Sequence, residues 1–166
     1  MNKKILIAII AIIAVVIIAA GAFFMLQEEP VPDFKVNGEE IEVNDTYQLA
    51  DNVTQIALQG QNFTVPADYE GNLTYQAGFP KADFKNEDKY LTITAQGEGN
   101  VTDLVNQYID MNKGLSIGNE TKEGNITIIE INQGSDVISH FYYLQIGDNV
   151  YEINLYGLEL NDVLSS

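Results

Sequence analysis

The chain of 166 residues has no cysteine, no tryptophan and no arginine, one histidine and four prolines. Each scarcity closes a route. Without cysteine there is no disulfide framework, no thiolate nucleophile and no cysteine-based zinc site. The one histidine, His140, has no second imidazole to share a metal with and belongs to no nucleophile motif. Its setting in "VISHFYYLQI" reads as a side chain packed on a sheet. No Gly-x-Ser-x-Gly elbow and no phosphate-cradling glycine loop occurs, so no catalytic residue and no cofactor is read from the sequence.

Cations are scarce as well. Eight lysines face 24 acidic residues, a formal net charge of −16. All 24 acids lie beyond residue 27, where only six of the lysines lie, which leaves that part of the chain at −18. Such a surface repels nucleic acid and anionic lipid head groups, because either must be met by clustered cations that displace counterions. Nucleic-acid binding is therefore excluded. Solubility, cations or basic partners suit the acidity.

What the N-terminus does have is a long apolar run. Ile5 to Leu26 carries no charge over 22 residues. As a helix it would measure roughly 33 Å, enough to cross a hydrocarbon core of about 30 Å. Lys3 and Lys4 precede it, and Glu28 and Glu29 follow, so the N-terminus is expected inside and the rest of the chain outside. Ala20-Gly21-Ala22 also offers a small-residue cleavage site, which would make the segment a signal peptide, but the run exceeds a usual signal core. Either reading exports the domain. The expected organisation is a cytoplasmic tip at 1–4, a transmembrane anchor at 5–26, a proline-containing stalk at 27–33 and an extracytoplasmic domain at 34–166. That domain is long enough to stabilise itself by apolar burial.

Within it, "FKVNGEEIEV" predicts a hairpin turning at Asn37-Gly38, since both residues tolerate positive φ. "VTQIAL", "NFTVP", "LTYQA" and "YLTITAQ" have strand composition. So do "LSIGNET", "ITIIEIN", "VISHFYYLQI" and "VYEINLY". "ITIIEI" is apolar on both faces, as a central strand would be. "NVTDLVNQYIDMN" instead spaces Val101, Leu104, Val105, Tyr108 and Ile109 along one helical stripe, with Asn100 as its N-cap. The fold class expected is α+β: a mostly antiparallel β-sheet with one main amphipathic helix packed on it, preceded by an N-terminal transmembrane helix.

"NFTVPADYEGNLTYQ", followed by a helix and a run of antiparallel strands, resembles the PsbP-like α/β/α sandwich over about Ala57 to Tyr156. The resemblance implies an extracytoplasmic accessory or lipoprotein-type domain. Many members of that family are non-enzymatic, so it implies a binding role without naming a ligand.

Asn-x-Thr occurs seven times, at Asn44, Asn52, Asn62, Asn72, Asn100, Asn119 and Asn125, never with proline in the middle. Composition alone would give about 1.3 such acceptors. N-glycosylation of several sites is expected, with Asn100 less suited because its side chain caps a helix. "GNETKEGNIT" holds two of the seven and reads as the turn between strands around Ile117 and Ile126. Tyr142, Tyr143, Tyr151 and Tyr156 crowd the last hairpin and could form a partner surface. Asp83, Glu87 and Asp88 in "ADFKNEDK" offer oxygen ligands for calcium on a loop, without the spacing of an EF-hand. The function expected is a membrane-anchored, N-glycosylated, non-enzymatic binding or accessory domain that meets an unknown protein or envelope partner at the cell surface. The alternatives are a small extracytoplasmic hydrolase or transferase using paired carboxylates, and a calcium-dependent structural module.

Overall fold

The structure is a computed structural model in which residues 31–164 are described. The tip at 1–4, the apolar segment at 5–26 and the stalk up to residue 30 lie outside the described residues. The chain divides into the units Met1–Val31 and Pro32–Ser166, and all secondary structure among the described residues belongs to the second.

Among the described residues twelve strands and two helices follow one another. They are β1 (Phe34–Val36), β2 (Glu39–Glu40), β3 (Tyr47–Gln48), β4 (Gln55–Leu58), β5 (Gln61–Thr64), β6 (Glu70–Gln76), β7 (Phe79–Asn86) and β8 (Lys89–Glu98). Then come α1 (Val101–Met111), β9 (Ser116–Glu123), β10 (Ile126–Asn132), β11 (His140–Ile146), β12 (Asn149–Tyr156) and α2 (Leu160–Val163). The strands build two antiparallel sheets, one ordered β2-β1-β4-β5 and the other β3-β6-β7-β8-β12-β11-β10-β9. The large sheet is two meanders, β6-β7-β8 and β9 to β12, joined where β8 pairs with β12. Two-residue turns do much of the work of reversal. Asn37-Gly38, both at positive φ, closes β1 on β2 as its sequence predicts.

The α+β expectation is corrected. About 53% of the described residues are strand and 11% helix, and the helices are short, at eleven and four residues. Among the described residues no helix is long and apolar enough to cross a membrane. The physical reason lies in what covers the large sheet. Its core-facing side chains, Leu73, Phe84, Leu91, Ile93, Tyr151 and Ile153 among them, meet Phe34, Ile56, Leu58 and Phe63 of the small sheet. The layer over this face is therefore a second sheet, and each large apolar side chain buried between the two contributes about 1.5–3 kcal/mol. Gly71 in β6 leaves room for Phe84, whose ring would stand 2.5 Å from an added Cβ.

α1 is where its stripe predicts, and it covers only part of the opposite face. Val101 and Val105 pack on Ile129, Ile131, Phe141, Tyr143 and Val150 of β10, β11 and β12. Asn100 caps it, its Oδ1 accepting from the backbone N–H of Thr102 at 3.0 Å and of Asp103 at 3.2 Å. The stretch of the same face over β6, β7 and β8 carries no helix and is polar.

Candidate functional site

The sequons fall on both sheets and on the helix cap. Asn44, Asn52, Asn62, Asn100, Asn119 and Asn125 are exposed, and Asn72 is half-buried. Asn44 lies in the segment just before β3, Asn52 in the turn before β4, and Asn62 within the outer strand β5. Asn72 sits in β6, where the hydroxyl of Thr74 donates to the carbonyl of Asp45 at 3.1 Å. "GNETKEGNIT" is less of a turn than expected. Ser116 to Glu123 is strand, so only Gly124-Asn125 reverses the chain and Asn119-Glu-Thr121 belongs to β9.

The four tyrosines of the last hairpin do not share a surface. Tyr151 is buried between the sheets, edge-on to Phe63 at 5.3 Å, and its hydroxyl donates to the carbonyl of Leu58 at 3.1 Å. Burial pushes this phenol up to about 12, with a backbone hydrogen bond at Gln61 acting the other way. Tyr143 points to the opposite face, beneath α1. Tyr142 and Tyr156 are half-exposed, Tyr142 stacked on His140 and Tyr156 tilted against Tyr90. His140 packs against its Tyr142 neighbour but is itself exposed, and its Nδ1 lies 3.1 Å from a Glu130 carboxylate oxygen.

Asp83 is not on a loop. It belongs to β7, where its carboxylate takes Lys81 at 3.0 Å and the Thr92 hydroxyl at 2.8 Å, while Glu87 and Asp88 form the turn into β8. Among the described residues no group of three or more His, Cys, Asp or Glu could hold a metal ion.

The chemistry gathers instead on the uncovered polar face. Lys81 of β7 pairs in register with Thr94 of β8, and Thr94 pairs with Glu152 of β12, beside Tyr143 of β11. The Glu152 carboxylate accepts from the Tyr143 hydroxyl and from Gln96 Nε2, both at 3.2 Å. It lies where α1 ends its cover, with the Tyr108 ring 5.7 Å from that of Tyr143. Burial raises Glu152 above the ordinary glutamate range, against the pull of the Tyr143 hydrogen bond and of Lys81. Burial and the same carboxylate raise Tyr143, so both stay protonated longer than free side chains would. One row further along, Asn72, Asp83, Thr92 and Tyr90 line an open groove of about 320 Å³.

Compared with family models, with curated proteins and with solved structures, the chain matches none.

Sequence reasoning missed Glu152. Its signal was present. "VYEINLY" places Glu152 on the face opposite Tyr151 and Ile153, while "HFYYL" is apolar on both faces, so a β12 neighbour of Tyr143 had to be partly covered.

Proposed function

We propose that the chain is a membrane-anchored, extracytoplasmic, N-glycosylated and non-enzymatic binding domain, carried at the cell surface by residues 5–26 with its N-terminus inside. Its partner-facing surface is the polar face of β6, β7, β8 and β12 around Lys81 and Glu152. The observation that carries this reading is the accessibility of the acceptors: six of the seven sequon asparagines are exposed on a domain whose two apolar cores they leave untouched. The apolar run and the charge step across it support the same topology.

The polar face suits binding better than hydrolysis. Glu152 has the raised pKa of a general acid, which is what favours the carboxylate-enzyme alternative. Of the other carboxylates on this face, Glu70 is three strands away and Asp83 is two, about 10 Å between strand axes. Asp83 is also already engaged by Lys81 and Thr92, so it offers no free base. An open groove rimmed by donors and acceptors fits a polar protein or envelope surface, and its ion pairs would give orientation more than affinity.

Protease shaving of intact cells tests the reading. The full chain should be cut without lysis and should drop in apparent mass when N-glycans are removed enzymatically. Protection until lysis, together with no glycan-dependent shift, would sink it.

A further inference from the structure

We infer that an N-glycan at Asn119 guards the edge of the large sheet: it covers the outer side of β9 and stops that strand from pairing with the β9 of a second copy. The inference rests on the glycosylation reading above and adds a task for one sequon.

The two sheets have four edge strands, β2, β3, β5 and β9. Three are blunted. β2 is two glutamates, β3 is two residues long, and the four-residue β5 is bridged at Phe63 by Leu164. β9 is the long one, eight residues, seven of them exposed. An edge of that length presents unpaired N–H and C=O groups to any other strand. Its two halves are protected differently. Glu120, Lys122 and Glu123 charge the second half, whereas Ser116-Ile117-Gly118 carries no charge and leaves Ile117 42% exposed. Asn119 stands at the junction, so a glycan there shields the half that charge does not.

The local backbone favours the same residue. Ile129 pairs with Glu120 and Ile131 with Ile117, so Gly118 and Asn119 together oppose the single residue Glu130 in a β-bulge. Gly118 suits the bulge because an added Cβ would lie 3.3 Å from the Glu130 carbonyl oxygen. From within the bulge, Asn119 Nδ2 lies 3.5 Å from the Thr121 hydroxyl, bringing the acceptor nitrogen and the hydroxyl of its sequon together. In the transfer, Nδ2 forms a bond to the anomeric carbon of an oligosaccharide carried on a lipid phosphate. The anomeric carbon–oxygen bond breaks, the lipid phosphate leaves with its electron pair, and the amide proton passes to base; no atom is oxidised or reduced. A partner strand would have to lie about 4.8 Å from β9, inside the volume that a bulky oligosaccharide on Asn119 sweeps.

The test uses the full chain made in an N-glycosylating eukaryotic host and extracted in detergent. It compares the wild type with Asn119→Gln, Thr121→Ala and, as control, Asn52→Gln. Glycopeptide mass spectrometry should find Asn119 occupied. Light scattering should find the protein mass per particle of Asn119→Gln and Thr121→Ala raised about two-fold, as two-fold edge pairing requires, with the wild type and the control unchanged. Adding Ile117→Lys to Asn119→Gln should restore the wild-type mass by charging the bare half of the edge. An empty Asn119 beside occupied sequons would overturn the inference and leave the glycosylated-domain reading standing, as would variants that keep the wild-type mass or a control that also doubles. A chain with no sequon occupied at all would overturn both.

Discussion

One face of the large sheet is covered by the small sheet, and the other by α1 over β10, β11 and β12 alone. On the first face the middle positions are hydrocarbon and wholly buried, as at Leu91, Ile93 and Ile153. On the second, the same strands carry the half-buried Thr92 and Glu152 and the buried Thr94, and one end is apolar only where Val101 and Val105 rest on it. Apolar side chains thus appear where a layer exists to bury them. Where the layer stops, the sequence changes to threonine, lysine and carboxylates that bond to each other.

Truncating the inter-sheet core should produce the largest effect. Phe63 is fully buried, edge-on to Tyr151, and is the small sheet's aromatic contact with β12. Phe63→Ala should destabilise by about 4 kcal/mol, through lost burial and the cavity left between two sheets that cannot close on it. Denaturant midpoints read this directly, and a loss below that of the helix-side variant would reverse the ranking of the two faces.

The corresponding change on the partly covered face is Val105→Ala. Val105 is also fully buried, but it is smaller and sits in a helix that can settle onto the sheet. About 2 kcal/mol is expected. Hydrogen exchange should quicken first in α1 and leave β8 protected, because the inter-sheet core does not depend on the helix.

The two faces also differ in how far they could be read from sequence. α1, its Asn100 cap and the Asn37-Gly38 hairpin were legible, because each depends on residues within one or two turns of chain. The second sheet was not. Alternation in "VTQIAL" and "NFTVP" says which side chains point inward, and nothing in it says that these strands form a layer of their own opposite "YLTITAQ". β7 was hidden because Lys81, Asp83 and Lys85 alternate with Pro80, Ala82 and Phe84, so its outward charges read as a loop. The tyrosines misled for a related reason. Adjacent Tyr142 and Tyr143 sit on opposite faces of β11, which proximity in sequence conceals.

Glu152 gives the subtlest contrast, because its environment is made by chain segments far apart: Gln96 from β8, Tyr143 from β11 and Tyr108 from α1. Burial raises its pKa, so across the window from the ordinary glutamate value up to the raised one the folded state holds more protons than the unfolded state. Stability therefore falls as pH rises through that window and stays lower above it. Glu152→Gln keeps an oxygen to accept from Tyr143 and Gln96 but carries no charge to desolvate. The variant should match the wild type at the acid end, gain on it as pH rises through the window, and remain more stable at neutral pH. Denaturant midpoints at a series of pH values would show this as two curves that separate upward. Curves that run parallel would mean that Lys81 and the Tyr143 hydroxyl already offset the burial of the carboxylate, and that the partly covered face tolerates a charge as readily as open solvent does.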